Sequence, residues 1–176
     1  ATSIQFDFTW SCPVYWPTVF ANLQFPFAIT NGQAGVANSC CSPSVFTTAL
    51  NVAPSATIAG ASVAPPTVAS GPTGFNTTTA RRGLYAVTSQ VRGANRVWQS
   101  KIRVNGLTYS LTSGSIVSVT AGIAMSSFTQ GYRNLPGNGT ASNLGFGGAC
   151  CWKDIGASDA ELTAILDNWE LLYPLS

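Results

Sequence analysis

The sequence contains no histidine and little charge. Lys, Arg, Asp and Glu together make up 8% of the 176 residues, whereas an average soluble domain has about 25%. Without histidine, hydrolysis by Ser-His or Cys-His pairs is excluded, and a zinc site would have to consist of thiolates alone. We therefore expect no metal site and no cofactor.

Carboxylates are missing from most of the chain. Residues 8 to 153 contain all eight basic residues and no Asp or Glu, while five of the six acids lie in residues 154 to 176. A glycosidase needs two carboxyl groups that face each other across a cleft, and a calcium site usually includes carboxylate ligands. The sequence therefore predicts that the protein is not an enzyme and not a calcium-dependent lectin.

Long apolar runs are also absent. No segment approaches the roughly 20 apolar residues of a membrane span, so no membrane insertion is expected. The net charge of +2 argues against a nucleic-acid binder, which usually has a dense basic face. The length suits a single domain over residues 1–176.

The first half of the chain has few regular patterns. Residues 52 to 80 are rich in Pro, Ala, Ser and Thr and carry no charge, which predicts an extended segment with one or two short strands at most. Such a segment is too long for an ordinary loop inside a domain. We expect it to contact other chains, together with the aromatic residues 10 to 20.

The second half has the alternation of β-strands. In "RVWQSKIRV" the apolar residues Trp98, Ile102 and Val104 alternate with polar ones, the period of a strand with one buried face. Asn105-Gly106 follows, and then a second alternating run. This dipeptide between two such runs predicts a two-residue hairpin.

Residues 158 to 172 have the pattern of one helix. Ser158 followed by Glu161 forms a capping-box signature. The apolar residues that follow at helical spacing predict a face that packs on a sheet; these are Leu162, Ile165, Leu166 and Trp169. Asp167 and Glu170 lie off that face, so we expect them to be solvated.

The order of these features resembles a known family. "GLYAVTSQVRGANRVWQSKIRVNG" and "LGFGGACCWKDIGASDAELTAIL" are similar to strands, hairpin and closing helix of the laminin-G or concanavalin A-like domains of phage and prophage structural proteins. The resemblance covers about residues 75 to 173. It implies an all-β, two-sheet antiparallel jelly-roll sandwich with one short C-terminal helix. The vicinal cysteines and the Pro-rich first half depart from the family's pattern.

The resemblance implies the fold rather than a function. Our interpretation is a non-enzymatic virion structural protein of a tailed phage, either a capsid decoration protein or a tail or fibre component. Such a protein is assembled in the host cytoplasm, is located in the virion, and has other virion proteins and copies of itself as partners. Because the fold also supports other functions, the alternative is a metal-independent carbohydrate-binding adhesion module with a cell-surface glycan as partner.

Aromatic residues near prolines and in turns are the candidates for glycan or partner contacts, because an aromatic ring can stack on a sugar. They are Trp10, Tyr15, Trp16 and Tyr132. The alternative is that these side chains are packing anchors.

Basic residues cluster in sequence around one hairpin; they are Arg81, Arg82, Arg92, Arg96, Lys101 and Arg103. They form either a solvated strand face or a patch that contacts an acidic partner. Another copy of this chain would offer such a partner surface in its acidic C-terminal helix.

The cysteine spacing matches no zinc motif. The five residues are Cys12, Cys40, Cys41, Cys150 and Cys151. They are either buried free thiols or disulfide partners, and Cys12, Cys40 or Cys41 would be able to bridge chains outside a reducing compartment.

Overall fold

The structure is a computed structural model that describes residues 7–16, 27–30, 40–46, 52–58, 61–63, 81–92, 95–104, 106–112, 116–117, 127–130, 132–133, 140–141 and 144–175. Most of these residues lie in short or medium β-strands. The strands of the first half are β1 (Phe8–Trp16), β2 (Phe27–Thr30), β3 (Cys40–Phe46), β4 (Val52–Ile58) and β5 (Ala61–Val63).

The second half contributes two long strands, several short ones and the one helix among the described residues. They are β6 (Arg81–Arg92), β7 (Asn95–Val104), β8 (Leu107–Thr112), β9 (Ile116–Val117), β10 (Ser127–Gln130), β11 (Tyr132–Arg133), β12 (Thr140–Ala141), β13 (Gly145–Phe146), β14 (Cys150–Lys153) and α1 (Asp159–Leu172).

Two antiparallel sheets account for nearly all of these strands. The first sheet has the order β13-β1-β6-β7-β8, with β14 also paired to β1 and β9 to β7. The second sheet has the order β10-β2-β3-β4-β5, and β11 pairs with β12 separately. The predicted fold class, a jelly-roll β-sandwich of antiparallel sheets with one short C-terminal helix, is confirmed. The relation to laminin-G-like phage proteins stays a prediction.

The two sheets pack on each other through aromatic rings. The Trp10 ring of β1 lies 4.6 Å from the Phe27 ring of β2, centroid to centroid, and Phe8 contacts the same ring at 6.0 Å. Successive residues of a strand point to opposite faces, so Cys12 and Val14 share this side of β1, and all four β1 side chains are buried. The expectation that residues 10 to 20 contact other chains rather than their own core is therefore wrong for Trp10, Cys12 and Val14, whose side chains are buried between the sheets, while residues 17 to 20 lie outside the described residues.

Part of the segment 52–80 also belongs to this fold. Strands β4 and β5 pair within the second sheet, and β4 also pairs with β3. Residues 64 to 80 of the segment lie outside the described residues. The predicted contacts of this segment with other chains stay a prediction.

The opposite face of the first sheet is covered by α1. Leu84 and Ala86 of β6 form one buried cluster with Leu162 and Leu166 of the helix. Their strand neighbours Tyr85 and Val87 point to the second sheet and are also buried. The middle of β6 is thus buried on both faces, which explains its nearly continuous apolar run.

Local sequence signals determine the start of the helix and the turn of the hairpin. The Ser158 side chain accepts a hydrogen bond from the Glu161 backbone N–H, and the Glu161 carboxylate accepts one from the Ser158 backbone N–H at 2.6 Å. The backbone hydrogen bond from Ser158 lowers the pKa of Glu161.

Val104 pairs with Leu107, and Gly106 has a φ of 71°, so the predicted two-residue hairpin is confirmed. No helix among the described residues is long and apolar enough to span a membrane.

The two leucines Leu166 and Leu171 allow the packing of α1 to be tested on one helix. Leu166 is fully buried, whereas Leu171 is 82% exposed. We expect Leu166→Ala to lower the free energy of unfolding by about 2–5 kcal/mol because it leaves a cavity, and Leu171→Ala to change it by less than about 0.5 kcal/mol. Denaturant unfolding of both variants measures the difference; equal losses would contradict this packing.

Candidate functional site

Two residues of the predicted basic patch lie beneath the helix. The Lys101 side chain is only 7% exposed, and its Nζ lies 2.8 Å from Asp159 Oδ2 and 2.7 Å from Thr163 Oγ1. Gln99 on the same strand donates a hydrogen bond to the other oxygen of Asp159 at 2.7 Å. Strand β7 therefore fixes the first turn of α1 through one shared carboxylate.

Arg103 contacts the last half of the same helix. Its guanidinium lies 2.7 Å from Asp167 Oδ1 and 2.6 Å from Glu170 Oε2, and its side chain is 12% exposed. Burial lowers the pKa of Arg103, but the hydrogen bonds and charges of the two carboxylates outweigh this and raise it. The pairing holds one guanidinium between two acids one turn apart.

These contacts bear on two predictions. The acidic partner of Lys101 and Arg103 is this chain's own helix, so a role for these two residues in contacts between copies is wrong. Asp167 and Glu170 have side-chain exposures of 61% and 40%, in line with the expected solvation, and they also form ion pairs because their side of α1 faces β7. Arg82 is exposed near the end of the sheet that carries Arg103, because its strand neighbour Gly83 pairs with Val104. Arg81, Arg92 and Arg96 lie in strands, but their side chains lie outside the described set.

Hydrogen bonds also hold the segment that leads into the helix. Thr9 of β1 donates to the carbonyl of Ile155 at 2.7 Å and accepts from the backbone N–H of Ala157 at 3.0 Å. Gln90 of β6 donates to the carbonyls of Gly156 and Ala157 at 2.7 and 3.0 Å. Residues 155 to 157 lie outside helix and strand, and these polar side chains provide the hydrogen bonds that their backbone groups would otherwise make with water.

The predicted aromatic contacts separate into different environments. Trp10 is fully buried between the sheets. The prediction that it contacts a glycan or a partner is therefore wrong, and the alternative prediction, that it is a packing anchor, is correct. Trp16 ends β1 and Tyr132 begins β11, but their side chains lie outside the described set. Tyr15 is 45% exposed and lies on the helix-facing side of the sheet.

Tyr15 and Arg82, both predicted from the sequence, lie together in a cleft. They are direct cross-strand partners of β1 and β6, and such partners have their side chains on the same face. The cleft has a volume of about 490 Å³ and lies between this end of the sheet and the C-terminal end of α1. It is lined by Pro13, Val14, Tyr15, Arg82, Gly83, Leu84, Gly145, Phe146, Gly147, Leu172, Tyr173, Pro174 and Leu175.

Two glycines let β13 approach β1 at the edge of the cleft. A Cβ on Gly145 would lie 3.1 Å from Tyr15 Cβ and 3.4 Å from Tyr15 Cδ1, and a Cβ on Gly147 would lie 3.0 Å from Pro13 Cγ. The Gly147 N–H donates to the Pro13 carbonyl at 3.0 Å. The Tyr15 side chain therefore lies against bare backbone, which fixes the ring from one side.

The residues that line the cleft have the chemistry of a binding site. Arg82 is the one charged residue among its described lining residues, and none of these is a carboxylate or a cysteine. Tyr15 and Tyr173, the latter 42% exposed, supply ring faces and hydroxyls. The sequence did not indicate Tyr173, Gly145 and Gly147; the run "GFGG" and the apolar end of the helix were the available signals.

The described cysteines are free thiols. Cys12 is buried in the core, and this burial raises the pKa of its thiol. A bridge from Cys12 to another chain is therefore wrong in this fold. Cys150 and Cys151 are also free and, as neighbours in β14, point to opposite faces of the sheet. The side chains of Cys40 and Cys41 in β3 lie outside the described set.

Within the part of the chain that the structure describes, no group of three or more His, Cys, Asp or Glu is placed to hold a metal ion. The expectations of no metal and no cofactor remain predictions.

Comparison with known proteins gives one weak likeness. No protein-family model and no curated protein matches the chain. A solved structure of the CBM40 domain of an IT-sialidase from Ruminococcus gnavus is similar with a TM-score of 0.48 and 16% sequence identity, over 92% of this chain and 83% of that chain.

The ion pair of Lys101 can be tested against a matched surface pair. Lys101 is nearly buried and would lose its charged partner in Asp159→Asn, whereas Lys153 and Asp154 are both exposed, at 68% and 61%. We expect Asp159→Asn to lower the free energy of unfolding by about 1–2 kcal/mol and Asp154→Asn by less than about 0.5 kcal/mol. Denaturant unfolding at neutral pH and low salt measures both. If the two variants were equally stable, Lys101 would not depend on its helix partner.

Proposed function

We propose that the protein is a non-catalytic carbohydrate-binding module and that the cleft beside Tyr15 binds the sugar. The observation that carries this proposal is the convergence of Tyr15, Arg82 and Tyr173 on one cleft of about 490 Å³. Ligand sites are concave, fall in roughly this size range and combine aromatic side chains with a few placed polar groups. The same description fits a site where a sugar ring stacks on tyrosine.

Each lining group has a defined task in this proposal. The Tyr15 ring lies against Gly145 and presents its remaining surface to the cleft, so it offers a stacking platform with little loss of side-chain entropy on binding. Arg82 offers several N–H donors, which suit the hydroxyl or carboxylate oxygens of a sugar. The hydroxyls of Tyr15 and Tyr173 add groups that both donate and accept.

The proposal that the module is non-catalytic rests on where the acids are. Asp159, Asp167 and Glu170 are engaged with β7, and Glu161 caps its own helix. None of them lines the cleft, whereas hydrolysis of a glycoside needs two carboxyl groups on either side of the bond that breaks.

A structural role in a virion, with other virion proteins and further copies as partners, stays a prediction. One reason to expect contacts between copies was the separation of basic and acidic residues along the chain. The pairing of Lys101 and Arg103 with α1 explains that separation within a single chain. The binding cleft is therefore the feature that favours adhesion over assembly.

The test is a glycan array followed by calorimetry on variants of the cleft. We expect the protein to bind one class of glycan, and Tyr15→Ala to weaken that binding about tenfold or more, as the loss of a central aromatic anchor does. Arg82→Gln should weaken it as well, while Lys153→Gln, which removes an exposed cation outside the cleft, should not.

A folded protein that binds no glycan on the array would overturn the proposal. Binding that survives both Tyr15→Ala and Tyr173→Ala would place the site elsewhere on the surface. Circular dichroism and denaturant unfolding of each variant show that a loss of binding is not a loss of fold.

A further inference from the structure

We infer, building on the proposed function, that the glycan bound is a chain of several sugar units and that the chain runs from the Tyr15 cleft to a second subsite beside Trp152. The second subsite is a pocket of about 180 Å³ between α1 and the edge strand β14. It is lined by Cys150, Trp152, Ile165, Asn168, Trp169 and Leu172.

The two flanks of α1 differ, and this difference leaves the second pocket open. Asp159, Thr163, Asp167 and Glu170 recur every three or four residues and therefore share one side of the helix. This side is closed against β7 by hydrogen bonds and ion pairs. The opposite side presents Ile165, Trp169 and Leu172 toward β14, where the pocket remains.

The pocket and the cleft are continuous around the end of the helix. Leu172 lines both of them. The Trp169 and Tyr173 rings lie 5.6 Å apart, centroid to centroid. Between them Gly148 has no side chain; a Cβ there would lie 3.7 Å from Trp169 Cη2 and 3.9 Å from Tyr173 Oη. The adjacent rings of Trp169 and Tyr173, with Gly148 beside them, thus connect the two sites.

The second subsite is preorganised and neutral. The Trp169 indole N–H donates to Ser11 Oγ at 2.8 Å, so its ring position is fixed by β1 before any ligand binds. Trp152 is half-buried, and Asn168 offers an exposed amide. None of the described residues that line this pocket is charged. This chemistry suits an uncharged sugar unit that stacks on tryptophan and hydrogen-bonds through its hydroxyls.

A sugar chain is the occupant that fits both sites. A single sugar ring would occupy only the cleft and would make no contact with the tryptophans of the second pocket. An oligosaccharide that enters at Arg82 and passes Gly148 contacts both, and the second contact is intramolecular once the first has formed. Such linked contacts raise affinity without requiring a strong second site.

The experiment uses mono- to hexasaccharides of the common hexoses, pentoses and N-acetylhexosamines on one array, followed by calorimetry with the series that binds. We expect the hexasaccharide to bind at least about tenfold more tightly than the monosaccharide, a difference of about 1.4 kcal/mol. In Trp152→Ala this gain should disappear. Leu171 is an exposed leucine of the same helix and lines neither pocket, so Leu171→Ala should retain the gain in affinity with chain length.

Asn168→Glu provides a second variant in case Trp152→Ala unfolds. It changes an exposed helix position and places a charge in the second subsite, so it should remove most of the gain with length. A wild-type affinity that does not rise with chain length overturns this inference, as does a rise that both variants retain. If Tyr15→Ala still weakens sugar binding in those outcomes, the proposed function survives; a protein that binds none of the series fails both.

Discussion

The contacts of Lys101 and Arg103 with α1 set the orientation of the helix on the first sheet, and the positions of both candidate subsites depend on this orientation. They are not the main source of stability, because partly exposed ion pairs contribute little, whereas each fully buried leucine contributes roughly 1.5–3 kcal/mol. Leu162 and Leu166 attach the helix to the sheet, but an apolar face permits sliding and rotation. Two cations at separate points of one strand, each matched to acids on one side of the helix, define its direction and its rotation.

The rotation of the helix decides where the open surfaces lie. With its acidic side over β7, its opposite side faces β14 and its end reaches the strand ends that carry Tyr15 and Arg82. Both candidate subsites lie along that path. Trp169 adds a third fixed point through Ser11 of β1, so the aromatic row between the subsites is held by a hydrogen bond on one side and by the ionic contacts on the other. Rigid scaffolds of this kind keep binding residues in productive geometry.

The helix and the hairpin could be predicted because their signals are local. Ser158 and Glu161 are three residues apart, and Asn105-Gly106 determines its turn by its own backbone preferences. The cleft could not be predicted as a whole. Tyr15 and Arg82 are far apart in sequence and meet only through the register of β1 with β6, while Gly145 and Tyr173 join them from two further elements. Trp10 and Tyr15 belong to the same aromatic segment. One is buried and the other is partly exposed because alternate residues of β1 face opposite sides of the sheet, and Pro13 between them obscured this period in the sequence.

The absence of acids from residues 8 to 153 gains a physical reason from this arrangement. An acid elsewhere on the helix-facing side of the sheet would offer Lys101 or Arg103 a competing partner, and a helix attached by Leu162 and Leu166 could then settle in a second orientation. With nearly all carboxylates confined to the C-terminal segment, few acids remain elsewhere that could pair with the two cations in another orientation of the helix. Natural proteins use such devices against alternative states in addition to stabilising the native one. The segregated charge thus specifies one placement of one helix, and the end of that helix forms a wall of the cleft.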